Sequence, residues 1–123
     1  MAKPTIIVVD DDHAFVDALA LYLDKHGYRT RTGFNGRDGR ELLADEDAAV
    51  AVVDVHLPDA NGIDLVEGLH HRAGCPAVIL ISADDSAETA ERCKTCGATC
   101  FLVKPVAPRE LLEIIHASVK PPS

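Results

Sequence analysis

The chain predicts an α/β fold, a parallel sheet with helices on both faces. Strand-like and helix-like stretches alternate five times along its 123 residues, the pattern that builds strand–helix–strand units. The strand-like runs are also too continuously apolar to be half exposed, as expected of strands covered on both sides. A third observation points to a site. Four of the five runs end on a polar or ionisable residue, and the carboxyl ends of parallel strands share one rim, where ligands of such sheets bind.

Thr5-Ile6-Ile7-Val8-Val9 is the first strand and runs into Asp10-Asp11-Asp12. From about His13 to His26 the residues Phe15, Ala18, Leu19, Tyr22 and Leu23 recur at helical spacing, with Asp12 as the N-cap and Gly27 as the stop. Tyr28 to Thr32 alternates with Arg29 and Arg31, which predicts a more exposed strand near a sheet edge. After a turn at Gly33 to Gly36, a short, weakly amphipathic helix carries Leu42 and Leu43 and ends near Asp47. Ala49 to Asp54 is the central strand, and Pro58 with Asn61-Gly62 marks the turn after it.

Gly62 opens a helix through about Arg72, with Ile63, Leu65, Val66 and Leu69 on its apolar side. Pro76 precedes a fourth strand, Ala77 to Ile81, ending on Ser82. Ala87 to Cys96 is a helix stopped by Gly97. Thr99 to Val103 is the fifth strand and ends at Lys104-Pro105. A last helix spans Pro108 to Val119, with Leu111, Leu112, Ile114 and Ile115 as its apolar positions. Residues 3–119 are therefore expected to form one domain, and 120–123 a tail or the start of a linker. A linker opening on Pro121-Pro122 would suit a second domain beyond it.

Composition narrows the function classes. A chain of this length supports one core. The net charge of -8 argues against direct nucleic-acid binding, which needs a basic patch. The apolar runs are strand-length, so no membrane span is predicted, and the N-terminus does not read as a signal peptide. The expectation is a soluble cytoplasmic domain.

The strand ends converge as Asp10-Asp11, Asp54, Ser82 and Lys104. Clustered carboxylates repel, so at neutral pH they hold a proton or bind a cation. All-oxygen ligands suit a hard ion, and Mg²⁺ accepts an incomplete cage of carboxylates and water. Asp54, at the end of the central strand, is the candidate nucleophile, since carboxylates are established phosphoryl acceptors. A lysine and a hydroxyl beside it supply the positioning and charge stabilisation that phosphoryl transfer needs.

Four segments now carry a resemblance: Val8-Val9-Asp10-Asp11-Asp12; Asp54 through Leu57-Pro58 to Gly62; Leu80-Ile81-Ser82-Ala83; and Gly97-Ala98 leading to Phe101-Leu102-Val103-Lys104-Pro105. In this order, each at a predicted strand, the chain resembles the receiver domain of response regulators in two-component phosphorelays, from about residue 5 to 119. The resemblance implies a flavodoxin-like sheet of order 2-1-3-4-5. It also implies that Asp54 accepts a phosphoryl group from a sensor histidine kinase or a histidine phosphotransfer protein. Asp11, Asp54 and the backbone carbonyl of His56 would ligate Mg²⁺, with Asp10 acting mainly through water. Ser82 and Lys104 would hold phosphoryl oxygens. Phe101 would couple Ser82 to the face of the fourth helix, fifth strand and fifth helix, where a homodimer would also form. Lys104-Pro105 would be cis, as is common in that family. Such a domain is a switch rather than an enzyme beyond its own phosphorylation and dephosphorylation. The output domain or target is unspecified.

Other readings stand beside these. A phosphorylation-independent docking module would lack an acid, the hydroxyl or the lysine, and none is missing. A dehalogenase-type phosphatase would carry a second Asp two residues after the nucleophile, where this chain has His56. His56 either faces the attacking water and tunes the phosphoryl lifetime, or is a solvated loop residue. Asp12 reads as a cap only, and Phe101 reads more simply as a core aromatic, its switch role resting on the resemblance alone. His13, His26, His70, His71 and His116 show no metal spacing. Cys75, Cys93, Cys96 and Cys100 offer two readings: small buried apolar residues, or three neighbouring thiols forming a zinc or redox site. On the second reading Cys75 and Cys100 would start neighbouring strands at the end opposite Asp54.

Overall fold

A computed structural model describes residues 3–69, 72 and 74–119. The expectations for His70 and His71, and for the tail at 120–123, fall outside the described residues. Five strands, β1 (Thr5–Val9), β2 (Arg29–Gly33), β3 (Ala48–Asp54), β4 (Ala77–Ser82) and β5 (Cys100–Val103), alternate with five helices. These are α1 (His13–Lys25), α2 (Gly36–Leu43), α3 (Gly62–Glu67), α4 (Ala87–Thr95) and α5 (Pro108–Ser118). The sheet order is β2-β1-β3-β4-β5 with every pairing parallel, as the resemblance implied.

Successive side chains of a strand point to opposite faces, and the core divides accordingly. Ile7, Val9, Ala51, Val53, Val78 and Leu80 pack with Leu42 and Leu43 of α2, Ile63 and Val66 of α3, and Cys93 of α4. On the other face Ile6, Val8, Val50, Val52, Ile79 and Ile81 meet Val16, Leu19 and Leu23 of α1 and Leu111, Leu112 and Ile115 of α5. Burial on both faces explains the unbroken apolar runs. β2 lies at the edge and exposes Arg29 and Arg31, as its alternation predicted.

Several boundaries differ from expectation for local reasons. α3 stops at Glu67 because Gly68 caps it, and glycine is among the poorest residues for propagating a helix. α2 stops at Leu43 rather than near Asp47. The Asp45 carboxylate accepts the Asp47 N–H and pairs with Arg31 at 2.9 Å, which turns the chain away from the helix. In α1 it is Val16, not Ala18, that is buried. Asp12 caps α1 by accepting the Phe15 N–H at 3.1 Å.

The zinc or redox reading of the cysteines is corrected by the register, while Cys93 and Cys96 are buried in the core as small apolar residues. Cys100 pairs with Ile79, four residues beyond Cys75, an offset of about 13 Å along the strand, whereas a disulfide needs Cα atoms within about 7 Å. Cys93 and Cys96 are buried on one face of the sheet while Cys100 packs against the other. Among the described residues the thiols do not gather into a metal-ligating group, so the convergence of three thiols is not found.

Candidate functional site

The carboxyl ends of β1, β3, β4 and β5 deliver their polar residues to one place. Asp54, the last residue of β3, is 4% exposed, and Asp10 and Ser82 are fully buried. Lys104, directly after β5, reaches across the rim: its Nζ lies 2.8 Å from Asp10 Oδ2 and 3.2 Å from Asp54 Oδ2. Asp11 is exposed, and its carboxylate completes a trio with Asp10 and Asp54 whose oxygens lie within 4.8 Å of one another.

Backbone N–H groups meet part of the charge. Asp10 Oδ1 accepts the Asp12 N–H at 3.0 Å, and Asp54 Oδ1 accepts the His56 N–H at 3.1 Å. Burial pushes the Asp10 pKa up, and the Asp54 charge adds to that rise, while Lys104 and the Asp12 N–H oppose it. For Lys104, burial works against the charged form, but the two acids outweigh it and the pKa rises. Two buried carboxylates thus share one ammonium, and the exposed Asp11 adds a third carboxylate beside them with no cation of its own among the described residues. Three carboxylates gathered around a single ammonium leave an excess of oxygen ligands, which fits a hard cation.

The loop after β3 is held by a short antiparallel bridge between His56 and Asn61. Its bonds run from Gly62 N–H to Val55 O and from Leu57 N–H to Ala60 O, and neither uses the His56 carbonyl. The side chain of His56 is exposed, with Nε2 3.7 Å from Asp84 Oδ2. Ser82 Oγ accepts the Asp84 N–H at 2.9 Å. Phe101 is half-buried against the core on the α2–α3–α4 face, beside a cavity of about 220 Å³ lined also by Ala90 and Lys94. The Lys104–Pro105 peptide is cis.

Three residues of this rim escaped the sequence reading. A Cβ on Gly62 would sit 2.2 Å from the Asp54 carbonyl oxygen, so glycine is required there by close approach, where the sequence signalled only a turn. The Asp84 carboxylate accepts from Thr89 Oγ1 and from the Ser86 N–H, and these bonds pull its pKa down to about 2. An acid two residues before the helix-capping Ser86 was the available signal. Asp59 accepts N–H groups of Gly36 and Arg37, more than twenty residues away, and no local pattern announces that.

A parallel five-stranded sheet of this order, with acids and a lysine gathered at its carboxyl rim, defines a flavodoxin-like α/β domain with a polar rim site. Residues 6–116 match the model of the response regulator receiver domain, and the chain belongs to that family, the receiver domains of two-component signalling. The transcriptional regulatory protein GltR of Pseudomonas aeruginosa is 37% identical over 94% of this chain, which spans only 49% of that protein. Among solved structures, a CheY-like receiver domain protein from Methanospirillum hungatei superposes with a TM-score of 0.88 at 30% identity, covering 95% of this chain and 94% of its own. A response regulator from Burkholderia pseudomallei, solved with a phosphorylated aspartic acid, a calcium ion and citrate, gives 0.82 at 26% identity, covering 95% and 66%. Among the described residues no helix is long and apolar enough to cross a membrane.

Proposed function

We propose that this domain is a phosphoacceptor switch in which Asp54 takes a phosphoryl group from a phosphohistidine of a sensor histidine kinase or a histidine phosphotransfer protein. The observation that carries the reading is the buried Asp54 carboxylate, bridged by Lys104 to the buried Asp10 at the end of the neighbouring strand. The Burkholderia neighbour, with its phosphorylated aspartic acid and bound divalent cation, supports it by similarity.

Asp10, Asp11, Asp54 and the His56 carbonyl would hold Mg²⁺, which when bound supplies charge neutralisation for the incoming phosphoryl oxygens. The chain's own groups do the rest. Asp54 is held in place by the His56 N–H and Lys104 and attacks phosphorus, so that a P–O bond forms as the P–N bond to histidine breaks. Lys104, whose Nζ already bridges Asp10 and Asp54, would follow the charge onto a phosphoryl oxygen, and the Ser82 hydroxyl offers a donor to another. Its bond to the Asp84 N–H is an accepted one, so the hydroxyl proton stays available for that role when Ser82 reorients toward the phosphoryl group. The half-buried Phe101, next to open space, is placed to move with it and to alter the α4–β5–α5 face. Val103, 43% exposed on the edge strand β5, belongs to that face, which serves as the surface for an output domain or a homodimer. The domain comprises residues 3–119, and it is not an enzyme beyond promoting its own phosphorylation and dephosphorylation.

The test is intact mass after incubation with Mg²⁺ and acetyl phosphate, for the wild type and Asp54→Asn. The expected outcome is one phosphate adduct that requires Mg²⁺ and is absent from the variant. A folded wild type that takes no phosphate sinks the proposal and leaves the phosphorylation-independent docking module.

A further inference from the structure

The cation ligands proposed above come from two separate places, Asp10 and Asp11 from the connection after β1, Asp54 and His56 from the end of β3 and the connection after it. The connection after β2 supplies none, because β2 alone ends without a polar residue. Yet both ligand-bearing loops are fastened to it. On one side the Asp10 N–H donates to Gly33 O at 3.2 Å, and the Phe34 ring stacks on His13 with centroids 3.8 Å apart and planes 1° from parallel. On the other side the Asp59 carboxylate straddles the start of α2. It accepts the Gly36 N–H on Oδ1 at 2.5 Å and the Arg37 N–H on Oδ2 at 3.2 Å.

The connection itself is stiff. Asp38 Oδ2 accepts the Phe34 N–H, and Asn35 Oδ1 accepts the Asp38 N–H, a reciprocal cap that fixes both ends of the turn. Gly36 leaves no slack, since a Cβ there would meet Ala60 at 2.5 Å and the Asp59 carboxylate at 2.9 Å. Asp59 also stands in the same bridged loop as His56, whose two strands are tied by the Leu57-to-Ala60 bond. A displacement at Asp59 is therefore passed to the His56 carbonyl.

We infer that the segment Phe34–Arg37 is a strut that sets the spacing of the two cation-ligating loops, with Asp59 and the Phe34–His13 stack as its two fastenings. Asp59 and Phe34 are positioning residues; neither touches the cation. This rests on the proposed divalent-cation site. Residues that orient metal ligands without binding the metal typically change affinity by about 10- to 100-fold when removed, and these act one step further out, so about tenfold is expected.

The experiment measures Mn²⁺ binding to the full chain by electron paramagnetic resonance of the free ion, for wild type, Asp59→Ala, Asp59→Asn and Phe34→Ala. Thermal melting is followed on each protein without cation. The strut predicts about tenfold weaker Mn²⁺ binding in Asp59→Ala and Phe34→Ala, at melting temperatures that leave all variants folded. Asp59→Asn keeps one acceptor for the Gly36 N–H and should lie in between. In the phosphorylation assay the Mg²⁺ concentration for half-maximal adduct rises for Asp59→Ala, while the rate at saturating Mg²⁺ returns to that of the wild type. Wild-type Mn²⁺ affinity in both alanine variants overturns the strut and leaves the cation site standing. A wild type that binds no Mn²⁺ overturns the cation site and the strut with it.

Discussion

At the amino ends of β2, β4 and β5 the chain turns on glycine, whereas at the carboxyl ends it turns on side chains. Among the described residues the positive-φ positions are Gly27, Gly74 and Gly97, and each lies just before a strand. At the opposite end the loops are shaped by Asp12, Asn35, Asp59, Asn61, Asp84 and Ser86, each accepting a backbone N–H. The buried polar side chains Asp10, Asp54 and Ser82 also lie at this end. A glycine turn asks only for backbone freedom and buries no charge. The carboxyl rim instead keeps like charges together in a partly dry place, a cost that other interactions of the fold must offset. Stability and chemistry thus occupy opposite ends of one sheet.

The largest effect expected from this contrast comes from alanine placed at a glycine of each end. Gly62→Ala puts a methyl group 2.2 Å from the Asp54 carbonyl. Neither atom can yield without moving the backbone that holds the acceptor, so a loss of about 3 kcal/mol is expected, the upper part of the range for overpacking. Gly27→Ala meets nothing within 4 Å but must adopt a φ of +91°, which costs about 1 to 2 kcal/mol. Urea unfolding measures both. Equal losses would mean that the two ends are not built differently.

A smaller effect of opposite sign is expected at Asp10. Its pKa is raised in the folded state, by burial first, so the folded chain holds this proton more tightly than the unfolded one. The group then favours folding below the ordinary carboxylate range near 3.9, and that contribution is lost as pH rises through the raised value. Above that raised value the ionised Asp10 works against the fold. Asp10→Asn should therefore stabilise the domain by about 1 to 2 kcal/mol while weakening cation binding. The gain over the wild type should shrink as the pH falls from the raised value toward about 4, and should be gone below it. A destabilised variant at pH 7 would show that the Lys104 bridge outweighs the cost of burying the acid.

The same contrast explains what was legible in the sequence. Asp10, Asp54, Ser82 and Lys104 could be read because a parallel sheet brings strand ends together whatever the loops do, and the apolar runs before them identify the strands. Burial on two faces is likewise written into runs such as Ile6 to Val9. Asp59 and Gly62 could not be given their roles. Their partners, Gly36 and the Asp54 carbonyl, are set by how loops dock, and Asn61-Gly62 looks the same whether it merely turns the chain or admits a backbone oxygen. The zinc or redox alternative for the thiols failed for a related reason. Spacing along the chain put Cys75 and Cys100 side by side, but strand register decides distance, and pairing to Ile79 draws Cys100 away.

The smallest perturbation tests whether the amino end is as inert as this contrast makes it. Cys93 and Cys96 are buried, and burial, with Cys96 beside it, pushes the Cys93 thiol up to about 11. Against an ordinary thiol near 8.5, that leaves roughly two-hundredfold less thiolate at pH 8. Cys100 is half-buried, its thiol also raised by burial and then by Glu110. Cys75 is half-buried and lines an open groove of about 940 Å³ with Pro76 and Ala117. A disulfide reagent at pH 8 should modify Cys75 first and Cys100 more slowly, and should reach Cys93 and Cys96 only after denaturant is added. Mass analysis of the digested protein assigns each site. If Cys93 reacts at the rate of Cys75, α4 opens in the native domain, and the amino end is then a moving part rather than the fixed base on which the acidic rim is built.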